Sequence, residues 1–439
     1  MMGQWKALPE TIWRKAVDYW RTLWVRVLLM GALALLAIGL TQLISPLIPD
    51  ELSAFVGGQA ADRLLDIIAN AMLAATIFAL TVMVSVHRNT ASQWTPRVHR
   101  LILRDPTTQN TLATFIGAYV YALAGIILRE IGIYSDDRAL VLFVMTVFVL
   151  ILIVYALVRW TLHLQTFGSL IDTTRQVEEI TVRQFRERLE TPCLGANPLR
   201  EVPEGAVPVR TKKAGYVSMM YQESLNAQAR EREIEIYLVA PPGKFLHMNE
   251  TMAYVTGTDE VESDPDEGRS IGDMLRDHVV VEDLRTYEQD PRFGLIVMGE
   301  IGSKALSPGI NDPGTAIDVI GRIARILSDF EGEGDRIGDV VHERLYVPVM
   351  EPEDLLEDGF GSIARDGAGV IEVQQRLQKI LKGLMSHPDP GLSAAAKQTA
   401  IIEFRRAMQG LKFDNDRLRL ANSADDSVVE AAEEQDQSA

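Results

Sequence analysis

The chain is poor in the residues on which disulfide-built domains and many enzymes depend. It has one cysteine, Cys193, in 439 residues, so no intrachain disulfide forms and no Cys-x-x-Cys pair sets up a zinc site. Its seven histidines are scattered one at a time, and none falls in a His-Glu-x-x-His pair. P-loop, nucleophile-elbow and kinase signatures are absent as well, so no metal, cofactor or catalytic residue is expected and the chain is not read as an enzyme. Positive charge is scarce: 43 Lys and Arg stand against 60 Asp and Glu, a net charge of -17. Nucleic acid, which needs a basic face, is excluded as an expected partner.

What the chain does have is long apolar runs, concentrated in its first 160 residues. Four of them, at 27–49, 67–86, 111–128 and 139–158, are long enough to cross a hydrocarbon core of about 30 Å as helices. The loop between the second and third runs carries Arg88, Arg97, Arg100 and Arg104, and such a loop stays in the cytoplasm. Four spans with both termini cytoplasmic then satisfy the positive-inside rule at every loop. Before them, residues 1–26 interleave Trp5, Trp13, Trp20 and Trp24 with basic residues, which predicts an interfacial helix.

The remainder is charged and reads as several pieces. Residues 161–205 form an amphipathic juxtamembrane helix and a Pro-rich linker. Residues 206–258 form a small β-rich module, with strand-like runs at 207–209, 215–217, 234–238 and 252–255 around the Pro241-Pro242-Gly243 turn. Their pattern looks like a lipoyl-type barrel-sandwich, although Lys244 lies in a turn and not at a modifiable hairpin tip. A helical cytoplasmic domain is expected over 269–420, and the acidic residues of 421–439 predict a disordered tail. The expected fold class is thus an α-helical four-span membrane bundle followed by a cytoplasmic α+β region.

Three stretches are candidates for function. In the second span Asp66, Asn70, Thr81 and Ser85 fall near one helical face, which suits either a water-lined path or hydrogen bonds between packed helices. In the cytoplasmic loop Arg97, Arg100 and Arg104 face anionic lipid headgroups from one side of a helix. In the helical domain an Asp-Pro pair, which caps and starts a helix, occurs at Asp290-Pro291 and again at Asp312-Pro313. Gly294, Gly299 and Gly302 weaken the intervening helix, so something is expected to approach it closely. The loop after it offers Ser307, Asn311, Asp312 and Thr315 beside a helix N-terminus. With Arg285 brought near, that loop is the expected ligand site, for an anionic group or a partner's carboxylate.

The run Ala91-Ser92-Gln93-Trp94-Thr95-Pro96-Arg97, the Glu288-Gln289-Asp290-Pro291 stretch and above all Ala305-Leu306-Ser307-Pro308-Gly309-Ile310-Asn311-Asp312-Pro313 carry a resemblance. They resemble the domain-of-unknown-function 2254 family of predicted bacterial inner-membrane proteins. The resemblance implies a multi-pass inner-membrane location and no established activity, and it supplies no catalytic residues. Two functions are compatible with these features. One is an oligomeric channel- or transporter-like protein with a cytoplasmic regulatory domain. The alternative is a non-conducting sensor or scaffold whose cytoplasmic domain binds a ligand or protein partner.

Overall fold

Apolar residues three and four apart make a stripe on a helix, and residues 58–93 contain one: Ala61, Leu65, Ile68, Ala69, Met72 and Ala79 are all buried. In the computed structural model they lie on helix α1, Gly58–Gln93. The structure describes residues 58–98, 105–132, 139–165, 169–262, 270–332 and 340–438, with isolated positions between 25 and 36. The chain divides into two units, one reaching Asp172 and the other running from Thr173, with Gln93–Thr95 grouped with the second.

In the first unit α1 is followed by α2, Pro106–Glu130, and α3, Ala139–Leu164. Helix α2 begins where Asp105 accepts the Thr108 amide at 2.7 Å, with Pro106 at its first position. Phe115, Ala118 and Tyr121 of α2 pack with Leu65 of α1 and with Leu142, Val149 and Trp160 of α3. Arg129 grips Asp62 with two bonds of 2.7 Å at one end, and His163 meets Asp105 at 2.9 Å at the other. These pairs run the helices up, down and up. Hydroxyls at Thr76, Thr81, Thr111, Thr114 and Thr146 return to a carbonyl of their own helix, which satisfies them without water.

Among the described residues three helices are long and apolar enough to cross a membrane: Gln59–Arg88, Pro106–Glu130 and Leu140–Leu164. The spans expected at 67–86, 111–128 and 139–158 fall within them. The span at 27–49 and the interfacial helix at 1–26 lie outside the described residues except at isolated positions. Large apolar side chains such as Ile67, Ile77, Val144, Ile151 and Val154 are exposed around the unit, a surface suited to lipid rather than water.

The second unit starts along helix α4, Leu170–Glu190, as an amphipathic stretch predicts. After strand β1, Ala196–Pro198, come β2, Val207–Arg210, β3, Gly215–Met220, helix α5, Gln222–Glu231, and β4, Glu235–Leu238. Then follow β5, Phe245–Leu246, β6, Thr251–Thr256, α6, Ile271–His278, and β7, Val279–Glu282. Helices α7, Pro291–Ala305, and α8, Pro313–Leu327, precede β8, His342–Val347. The rest is helical: α9, Pro352–Leu356, a π-helical turn at Glu357–Gly361, α10, Ser362–Asp366, α11, Ile371–Leu384, and α12, Pro390–Gly410. The chain closes with α13, Asp414–Ala421, and α14, Asp426–Ser438.

The predicted strands of the 206–258 module are all present, but they do not make a self-contained barrel-sandwich. Among the described residues two sheets form, in the orders β1-β8-β4-β6-β2 and β5-β3-β7. Strand β8 arrives from far downstream to lie parallel to both β1 and β4, with Ile236 opposite Leu345 and Tyr237 opposite Tyr346. The 269–420 region therefore contributes two strands, β7 and β8, as well as helices. Its apolar alternation completes a core of Val209, Met220, Ile236, Leu238, Val255 and Leu345 that the module alone would leave open on one edge.

The acidic C-terminal segment is a correction to the expected disorder. Leu420, Ala424, Val428 and Ala432 are buried, and their spacing of four makes a thin helical stripe. Asp425, just before the helix, accepts the Ser427 hydroxyl at 2.8 Å, and Lys382 of α11 reaches Asp425 at 3.4 Å. The stripe is short, and the surrounding charge conceals it in composition.

Candidate functional site

On α1 the residues Asp66, Asn70, Thr81 and Ser85 are all exposed, on the side away from the buried Leu65 and Ile68. Asn70 donates to the Asp66 carbonyl and Thr81 to the Ile77 carbonyl, both at 2.9 Å. The described helices thus enclose no path along these side chains. Of the loop arginines, Arg97 is half-buried, and Arg100 and Arg104 lie outside the described residues.

The Ser307–Thr315 loop is closed on itself. Ser307 donates to the Lys304 carbonyl at 2.7 Å, and the Asn311 amide, at a positive φ of 52°, donates to Ser307 at 2.8 Å. Asp312 takes the Thr315 hydroxyl at 2.5 Å and the Thr315 amide at 3.1 Å. That hydroxyl first, then the amide, holds the Asp312 carboxyl below the usual range. Arg285 is not part of this loop: it precedes the 15-residue α7, whereas Ser307 follows it, so a helix about 22 Å long separates them.

Arg285 instead serves the other Asp-Pro pair, where a site is built. Asp290 is 3% exposed. It receives Arg285 Nε at 2.6 Å and Nη2 at 3.1 Å, and it caps α7 by accepting the Phe293 amide at 3.2 Å. Burial pushes the Asp290 carboxyl up, against the pull of Arg285. The guanidinium also lies 5.6 Å over the Phe293 ring. Gly243, at φ 91°, presses on this pair: a Cβ there would stand 2.7 Å from Arg285 Nη2 and collide with Asp290 Oδ2. Only glycine fits that turn.

Around the pair lies a cavity of about 320 Å3, walled by the 241–244 turn, residues 285 and 289–292, the 348–351 segment and Arg188 of α4. Arg188, 6% exposed, donates to the Pro348 carbonyl at 3.0 Å. Arg292 donates through Nε to Asp358 at 2.6 Å and through Nη1 to Asp354. Asp358 belongs to the π-helical turn, which approaches α7 closely at Gly299, where a Cβ would lie 2.9 Å from the Asp358 carbonyl. The glycines that sequence reading marks as a close approach are thus explained twice. At Gly299 the π-helical turn comes in; at Gly294 it is Thr181 of α4, whose Cγ2 would be 2.6 Å from an added Cβ.

A second cavity, about 390 Å3, lies beside α6 and β7. There Arg276 is fully engaged by Glu262, Asp273 and the Arg210 carbonyl. The cavity at Asp290 is accordingly the candidate site. The sequence marks Arg285 as a partner of the 307–315 loop and Asp290 as a helix cap, and it does not mark Arg188, Lys244, Arg292 or the 348–351 segment. The one local signal available was the Pro-Pro-Gly-Lys turn.

Residues 20–383 match the family described as predicted membrane protein, DUF2254. The chain belongs to the DUF2254 family. Among curated proteins it is similar to an uncharacterized protein of Mycobacterium bovis and to one of Mycobacterium tuberculosis. Each is 25% identical over 362 residues, covering 79% of this chain and 68% of the relative. No solved structure matches it. Membership of DUF2254 and three apolar helices make this a membrane protein of uncharacterised function, in contact with the bilayer.

Proposed function

We propose that this DUF2254 protein is a non-catalytic sensor, anchored in the bacterial inner membrane with both termini cytoplasmic, whose second unit binds a small ligand in the Asp290 cavity. The observation that carries the reading is Arg188, a wall of that cavity that belongs to α4. Helix α4 follows α3 in the chain after only residues 165–169, so a ligand would touch the helix that leads directly to the last span. Within its unit α4 is held firmly: Glu178 pairs with Arg322 and, at 2.6 Å, with Arg325 of α8, and Thr181 seats against Gly294 of α7.

The exposed stripe Asp66, Asn70, Thr81 and Ser85 favours the second reading, an oligomeric channel, which requires a path between copies of α1. One experiment separates the two. The full-length protein in liposomes is expected to pass no ions, and a small-molecule hit from a thermal-shift screen is expected to slow hydrogen exchange across Leu170–Glu190. Ion flux that falls on Asn70→Leu or Thr81→Val overturns the sensor reading in favour of conduction.

A further inference from the structure

The ligand class follows from which hydrogen-bond donors around the Asp290 cavity are already used. An arginine has five N–H donors on three nitrogens. Arg285 commits Nε and Nη2 to Asp290, and among the described residues nothing takes Nη1. Arg292 commits Nε and Nη1 to Asp358 and Asp354, and nothing described takes Nη2. The Lys244 ammonium is held loosely, 3.4 Å from Glu250 and 3.5 Å from the Val239 carbonyl. Three cationic side chains therefore border one cavity with donors to offer, in a chain whose net charge is -17. Acceptors are short by comparison. The acids in the wall are Asp290, whose two oxygens are occupied by Arg285 and the Phe293 amide, and Glu351. Arg188 and Gln289 also line the cavity, bonded to the Pro348 carbonyl and to the Met220 backbone, and the apolar part of the wall is Pro241, Pro242, Pro291, Pro348, Val349 and Met350.

We infer that the cavity takes a small organic acid, with its carboxylate or phosphate on Lys244, Arg285 and Arg292 and an apolar body against the prolines and Met350. This rests on the sensor reading above and names the chemistry of its ligand. Charge-assisted bonds of this kind orient an anion, and forked guanidinium donors match its geometry. A volume of about 320 Å3 suits a metabolite-sized molecule rather than a polymer. The acid group has two sources, a soluble metabolite or a lipid headgroup, and the test distinguishes them.

Isothermal titration of the full-length protein in detergent uses two acids and their neutral isosteres: succinate with succinamide, and hexanoate with hexanamide. At least one acid is expected to bind while its amide does not. Lys244→Gln and Arg285→Lys should each weaken that binding about tenfold. Both substitutions spare the fold, the first because Lys244 is loosely held and the second because a lysine still neutralises Asp290. The lipid source is tested with nanodiscs containing phosphatidate, compared with phosphatidylcholine alone. Binding confined to phosphatidate, with the same sensitivity to both variants, supports the class and assigns it to lipid. An amide that binds as well as its acid overturns the ligand chemistry and leaves the sensor reading standing. Acid binding that neither variant weakens overturns the site. No binding by any probe, soluble or lipid, overturns the inference, and the sensor reading is then judged by its own flux and hydrogen-exchange test.

Discussion

Asp290 and Asp312 occupy the same local sequence, an aspartate before a proline that starts a helix, and both cap their helices through the amide three residues on. Their surroundings separate them. Asp312 is half-buried and its carboxylate is bonded within its own turn, so Asp312→Ala should cost about 0.5–2 kcal/mol, the range for a lost N-cap. Asp290 is buried against Arg285, so Asp290→Ala also strands a guanidinium and should cost about 3–5 kcal/mol. Thermal unfolding of the two variants in one detergent tests the ratio, and equal losses would refute it. Acid adds a second distinction. The folded pKa of Asp312 lies below its unfolded value, so its contribution is present above the unfolded carboxylate range and is lost as pH falls through the folded value. Melting midpoints of the parent and Asp312→Asn should therefore converge below about pH 4. Asp290 is shifted upward and has the opposite sign: its contribution is full below the unfolded value and declines as pH rises through the folded one.

Among the elements, α7 is the one against which others are placed. Its N-terminus carries the Asp290 cap, Gly294 admits α4, Gly299 admits the π-helical turn, and a Cβ at Gly302 would stand 2.8 Å from Ile363 Cγ1. An apolar helix with three glycines is a poor helix by propensity, and tertiary contact explains why it is kept. Gly294→Ala should push α4 away and destabilise the unit by about 1–3 kcal/mol, the usual cost of overpacking. Adding Thr181→Gly, which removes the colliding side chain, should recover part of the loss in a double-mutant cycle on unfolding midpoints. An additive result would mean that α4 does not lie where Thr181 places it. The same logic of spacing applies to α14: its apolar residues recur at intervals of four, yet the acid around them predicts disorder, and only a neighbouring helix buries them.

For the whole molecule the testable expectation is topology. Arg88 lies at the end of Gln59–Arg88 and Glu130 at the end of Pro106–Glu130, and both are exposed. In a Cys193→Ser background, an impermeant thiol reagent added outside should label Glu130→Cys and not Arg88→Cys, because the arginine-rich loop is retained on the cytoplasmic side. The reverse pattern would invert the protein and put the Asp290 cavity on the wrong face for a cytoplasmic metabolite.

Sequence alone determined the membrane unit. A run of some 20 apolar residues has one solution in lipid, a helix that satisfies its own backbone, so the spans at 67–86, 111–128 and 139–158 needed no tertiary information. The Asp-Pro caps and the close approach at Gly294 and Gly299 were legible for the same reason: each is a property of a few consecutive residues. Tertiary structure decided the rest. Local alternation shows that Ile236 and Leu238 hide one face, and it does not say that β8, about a hundred residues later, pairs with them. Nor does it tell a buried cap from an open one, so Asp290 and Asp312 read alike in the sequence. The cavity at Asp290 is assembled from α4, the Gly243 turn, the start of α7 and the segment after β8. A periodic pattern records what a segment must bury, whereas a cavity is defined by what several segments leave uncovered when they meet.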